Sequence, residues 1–465
     1  MAFSKSPRRR RFAAITGFVA VLGLGLAACS GSQPPPTTTT APPPATTDTG
    51  APATTSAAPL SGTLTVWHFF QDREAGVIQD SIDAFTQANS GVTINVQPGQ
   101  DDDKMRQAIA ANQPIDVGIS YSSDQIGPLC STGAFIDLGP YIAADNVDMS
   151  QIPAVVQSYI SFDGTTCALP LLADVTGLYF NKDMLSAAGI TDPPKTLDDL
   201  AADAIKLTTY NPDGSIKTLG FNPLTSYYET NASSYAIMAG AKWLNDGNKT
   251  SAIGSDPNWT TLLNWQAKLI NDLGGYQKLA DWSAASGDEF SDQMDFEIGR
   301  VAMVIDGEWR TAFIASDSDQ SKALNYGTAP LPVLNPSDYG AGLIDGNLIG
   351  IPKGSKNPDL AWQLVKYLAL DTDAQVAMGN GLKNVPTIQS AVTSPNLEKD
   401  ANYQTFLDAF VNPNSGTEPR TIVGTEYLDI MAAFIENWES GGVTDLAGGL
   451  ADVDQQINAA IALAG

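Results

Sequence analysis

The sequence predicts an α/β fold divided between two lobes. Three observations carry that prediction. β-rich runs alternate with helically spaced apolar residues from position 60 onward. A length of 465 residues exceeds what one hydrophobic core organises. A composition with 43% hydrophobic residues and 41 glycines can bury a large, turn-rich body.

Residues 1–28 read as a bacterial export signal. Lys5, Arg8, Arg9, Arg10 and Arg11 form a positive start, and 12–28 is apolar and uncharged. Seventeen such residues are at the lower limit for a membrane span, and the flanks are those of a signal peptide. The segment ends Leu26-Ala27-Ala28-Cys29, which resembles a lipobox and makes Cys29 the expected lipidated N-terminus of the mature chain. Residues 29–60 follow as a tether. Positions 30–60 hold eight Pro, nine Thr and six Ala but one charge, Asp48, a composition that cannot build a core. Dual acylation at Cys29 would hold the protein to the outer face of the cell membrane.

The body begins with Thr63-Leu64-Thr65-Val66-Trp67, an alternating strand. Residues 74–88 place Val77, Ile78, Ile82 and Phe85 on one helical face. A second strand (91–96), a short helix (104–111) and a third strand (115–120) complete a βαβαβ order, which predicts a mostly parallel sheet. In such sheets ligands bind beyond the carboxyl ends of the strands, which directs attention to the residues after Trp67 and Ile119. Thr196 and Asp199 have capping spacing for a helix through Leu207. Residues 258–272 carry Leu262, Leu263, Trp265, Leu269 and Ile270 at helical spacing, and Pro358 starts another helix.

Charge and residue counts exclude several functions. Twenty-five bases against 51 acids give −26, and removing the leader leaves 20 bases and −31. Nucleic acid is excluded as a partner, because binding it rests on neutralising phosphates. One histidine excludes metal sites built on several imidazoles, and neither metal nor cofactor is expected. Asp101-Asp102-Asp103 lacks calcium-loop spacing and reads as a solvated turn. Cys130 and Cys167 are the remaining pair in an exported chain, so a disulfide is expected, with two buried thiols the alternative.

Five segments, in order, resemble the extracellular solute-binding proteins of ABC importers, in the sugar-binding group that includes the maltose-binding protein. They are Pro114-Ile115-Asp116-Val117 with 129–138; Asp163-Gly164 through Ala168-Leu169-Pro170 and Leu178-Tyr179-Phe180-Asn181-Lys182-Asp183; and Ala187-Ala188-Gly189 with Pro193-Pro194-Lys195-Thr196. The last two are Ala302-Met303-Val304-Ile305-Asp306-Gly307-Glu308-Trp309, and Ile351-Pro352-Lys353-Gly354-Ser355-Lys356-Asn357-Pro358 with Ala361-Trp362. Phe180 departs from the family's tyrosine, and Cys167 stands where ordinary residues are usual.

The resemblance implies a periplasmic-binding-protein-like fold of two lobes, each a mostly parallel sheet flanked by helices. Residues 61–171 plus 335–385 would form one, and 176–330 plus 390–465 the other. Three hinge crossings would fall near Leu172, Pro332 and Pro386. It further implies a monomeric, non-enzymatic receptor that passes a mono- or oligosaccharide to a membrane permease. The ligand set it implies is His68, Phe70, Gln71, Asp72, Tyr121, Asp124, Asp174, Tyr227 or Tyr228, Trp309, Asp345, Gly346, Asn347, Glu426 and Tyr427. Carboxylates and amides there accept from hydroxyls, while aromatic faces stack on C–H surfaces. For Asp124 and Asp174, caps or ion pairs are the alternative roles. The set holds no lysine or arginine, which favours neutral or cationic ligands. The competing functions are a receptor for another solute such as a polyamine, and an exported glycoside hydrolase. A serine hydrolase would have to use His68, and no Gly-x-Ser-x-Gly elbow is present.

Overall fold

The computed structural model describes residues 59–464 except residue 246, so the leader, Cys29 and the tether up to residue 58 lie outside the described residues. Eight strands form the main sheet: β1 (Ser61–His68), β2 (Gly91–Gln97), β3 (Val117–Ser120), β4 (Ala168–Asn181), β5 (Met303–Gly307), β6 (Tyr326–Ala329), β7 (Ile344–Gly350) and β8 (Val385–Pro386). β1 lies between β2 and β3 and is parallel to both, as the βαβαβ order requires. The helix between β1 and β2, Asp72–Ala88, buries Ile78, Ile82 and Phe85.

The sheet as a whole is mixed rather than mostly parallel. β7 is antiparallel to both β3 and β4, and β5, β6 and β8 are antiparallel to β4. Buried apolar runs look alike in strands of either direction, and these strands arrive from distant parts of the chain, so the sequence pattern carried no sign of their sense.

β4 organises the molecule. Its first half pairs with β7 and β8, from Ala168 to Val175, and its second half pairs with β5 and β6, from Thr176 to Asn181. Of its fourteen residues only Asp174 and Phe180 are not buried. One apolar cluster packs Leu64, Val66, Ile78, Ile82 and Phe85 against Leu360, Trp362 and Leu364. A larger one gathers Leu178, Tyr235, Trp259, Leu262, Phe296, Phe406 and Ile435.

Local signals set the helix starts. Thr196 and Asp199 exchange side-chain and backbone bonds of 3.1 and 3.2 Å at the head of Leu197–Leu207. Pro257 and Pro358 occupy first helical positions, where a missing N–H costs nothing. Trp259 and Trp362 are core residues, whereas Trp67, Trp265 and Trp438 pack at its margin. Cys130 and Cys167 are joined in a disulfide with Cα atoms 5.5 Å apart, which staples the helix Ile126–Ser131 to the start of β4.

Candidate functional site

The site grows from strand ends. β3 stops at Ser120, and Ser122 Oγ accepts from Asp124 N at 3.1 Å, which turns the chain and buries the Asp124 carboxylate. On β7, Asp345 lies in register with Asp174 on β4. Asp345 accepts from the backbone N–H and hydroxyl of Ser123, tying the β3 loop to β7. Asp174 accepts from the amides of Asn347, at 3.3 Å, and Asn384. Asn347 Nδ2 also donates to Tyr121 O at 3.1 Å. Gly346 permits this close approach of β7 to β4, because a Cβ there would meet Leu172 O at 2.5 Å.

From the other half of the sheet, β5 delivers Gly307-Glu308-Trp309. Glu308 Oε2 accepts from Val175 N at 2.6 Å, so this buried carboxylate reaches the strand residue after Asp174. The Trp309 ring folds back over Gly307, where a Cβ would lie 2.1 Å from a ring carbon, which explains the Gly-x-Trp spacing. Arg310 is fully buried and donates to Asp306 at 2.7 Å, Glu297 at 3.1 Å and Glu289 O at 2.6 Å. Its guanidinium also lies over the Phe313 ring. Glu229, following Tyr228, joins the same acidic group through Asp306 and Glu289.

Burial dominates the electrostatics. Desolvation, reinforced by neighbouring acids, pushes Glu229 up to about 7 and Glu418 up to about 8. The same causes hold Asp174 and Glu308 well above the usual carboxylate range. Asp124 rises to about 6, burial outweighing its Arg420 partner. Arg420 pairs with Asp124, contacts Thr417 and lies 3.9 Å from Asp345. A cavity of about 320 Å³ opens beside this end of the site, lined by Ser158, Trp243, Glu418 and Arg420 among others.

The structure thus brings Asp124, Asp174, Asp345, Gly346 and Asn347 together, with Tyr121 at their edge, 47% exposed. Trp309 is half-buried next to Glu308. Tyr228 is half-buried and donates to Gly287 O at 3.1 Å, whereas Tyr227 is buried and donates to Asp295 at 3.0 Å. His68 and Phe70 are packed inside, their rings 5.9 Å apart. Gln71 and Asp72 are exposed at the start of the first helix, and Glu426 is exposed at the start of Glu426–Glu439. Tyr427 is buried and donates to Pro419 O at 3.1 Å.

The expectation of a set without arginine is corrected, since Arg310 and Arg420 both stand among these acids. Arg420 pairs with a residue 296 positions away, so spacing carried no sign of it. Glu229 and Glu308 each adjoin a residue singled out from the sequence, and that adjacency was the available signal.

Residues 80–405 match the family of bacterial extracellular solute-binding proteins. The chain belongs to that family. As a solute-binding protein it is similar to the maltotriose-binding protein of Pyrococcus abyssi, 24% identical over 344 residues, covering 73% of this chain and 70% of that one. It is also similar to the maltodextrin-binding protein MdxE of Bacillus subtilis, 27% identical over 337 residues, covering 70% and 73%. Among solved structures, CpMnBP1 with mannotriose bound superposes with a TM-score of 0.75 at 23% identity, covering 85% of this chain and 99% of that one. The fold is accordingly the two-lobed α/β fold, and the family is one of exported binding proteins.

Proposed function

We propose that this solute-binding protein captures a mono- or oligosaccharide between its lobes and delivers it to an ABC permease without transforming it. The observation that carries the reading is the set of acceptors and aromatic surfaces on β4 and β7 and just after β3 and β5: Asp124, Asp174, Asp345, Asn347 and Glu308, with Tyr121 and Trp309. Such a set suits a ligand with hydroxyls at its rim and apolar faces. The sugars in the names of the relatives, maltotriose and maltodextrin, and the mannotriose of CpMnBP1 support the same class. We read 61–171 plus 335–385 and 176–330 plus 390–465 as the lobes, with crossings near Leu172, Pro332 and Pro386, and closure as a hinge motion selected by ligand contacts. The Leu26-Ala27-Ala28-Cys29 motif supports anchoring through lipid on Cys29, and a pneumococcal relative is named a maltooligosaccharide ABC transporter solute-binding lipoprotein; we read the protein as a monomer.

A thermal-shift screen with maltotriose, mannotriose, spermidine and amino acids tests the reading, since a ligand of the folded state raises the melting temperature. A sugar is expected to raise it, and Trp309→Ala is expected to weaken that sugar at least tenfold with the fold retained. A shift from spermidine or an amino acid and from no sugar would overturn the proposal.

A further inference from the structure

The cavity of about 320 Å³ beside Arg420 has walls held in place by the fold. One wall is the turn that carries Trp243. Trp259 Nε1 pins that turn by donating to Lys242 O at 2.8 Å, and Ala252 N donates across it to Trp243 O at 2.9 Å. A second wall is Ser158, at the end of the short helix Ala154–Gln157. Tyr159, the next residue, lies under the Arg420 guanidinium at 5.3 Å and donates to Asp345 O at 3.3 Å. Arg420 itself lines the cavity, pairs with Asp124 and lies 3.9 Å from Asp345. The cavity is therefore built onto the acids of the site, and its volume falls within the range of small-ligand pockets, about 300–1,000 Å³.

Two of its lining side chains are more than nine-tenths buried and incompletely bonded. Arg420 spends its terminal nitrogens on Asp124 and Thr417, while its Nε has no partner. Glu418 has no partner at Oε2. Buried polar atoms are ordinarily satisfied, so these two mark what the cavity is made to hold. The guanidinium nitrogen can only donate. The Glu418 carboxyl, held toward its neutral form by burial and by Asp124 and Asp345, can accept or donate. A net charge on the ligand gains nothing from this pair. Neighbouring hydroxyls, each both donor and acceptor, complete it, and the buried Trp243 ring adds an apolar side.

We propose that this cavity is a further sugar subsite, and that the ligand is an oligosaccharide with one unit in it and another at Asp174, Asn347 and Trp309. The proposal rests on the sugar reading above and narrows it to chains of more than one unit.

Calorimetry on the full mature chain tests it with glucose, maltose and maltotriose, and with mannose, mannobiose and mannotriose. In at least one series the trisaccharide is expected to bind at least about tenfold more tightly than its monosaccharide. Ser158→Phe, which sets a ring into the cavity from an exposed helix end, should bring that ratio toward one. Glu418→Leu should do the same, and Glu418→Gln, which keeps a donor and an acceptor, should retain most of the ratio. A monosaccharide binding as tightly as its trisaccharide, or a ratio unmoved by Ser158→Phe, overturns the proposal and leaves the sugar reading standing. Binding of no sugar in either series overturns both.

Discussion

Lowering the pH should weaken this protein through its single histidine. His68, the last residue of β1, is fully buried against Phe70. Burial, partly offset by the backbone of Phe70, pushes its imidazole down to about 4. In the unfolded chain the same ring titrates near ~6.5. Folding therefore favours the neutral ring. Its contribution is complete above the unfolded value, shrinks as the pH falls toward 4, and changes no further below that. The displacement corresponds to about 3 kcal/mol at most. Acids such as Glu229 and Glu418, raised by burial, act with the opposite sign: folding favours their protonated forms, and they add stability as the pH falls. The informative quantity is thus the difference between the wild type and His68→Phe in denaturant unfolding. That difference should move against the wild type by about 2–3 kcal/mol between neutral pH and pH 4. Because the chain has one histidine, its imidazole resonances in NMR belong to His68 alone. A ring titrating at its unfolded value, with a flat difference curve, would refute the reasoning.

Two further outcomes follow from packing. Replacing Cys130 and Cys167 together by alanine should lower stability by up to about 4 kcal/mol in denaturant unfolding, the chain-entropy value for a bridge between residues 37 apart. Arg310→Met should cost about 3–5 kcal/mol by the same measurement, since it strands Asp306 and Glu297 as buried acids.

What was legible in the sequence was local. The capping pair Thr196 and Asp199, the prolines at 257 and 358 and the apolar face of Ile78, Ile82 and Phe85 each act within a few residues, and the structure forms them where they were expected. What was illegible was decided by distant partners. The antiparallel sense of β5 to β8 depends on how the chain returns to β4. Within the site, Asp174 and Asp345 are drawn together by strand register, which no spacing encodes. Tyr227 and Tyr228 are neighbours of one type, yet one points to Asp295 inside and the other to Gly287 near the surface. His68 looked available at a strand end because the sequence does not display what covers it.

β4 also dictates when the molecule can finish folding. Its residues 168–181 are made early, but Ala173 pairs with Gly346 on one side and with Val385 on the other, both far downstream. A chain emerging from its N-terminus must therefore hold an apolar fourteen-residue strand without its final neighbours until four-fifths of the polypeptide has arrived. Contacts of such long sequence separation close slowly and leave strand edges open to wrong partners. β8 is thereby the last strand to join the main sheet, and the helices that follow it still have Phe406, Ile435 and Leu450 to add to the core.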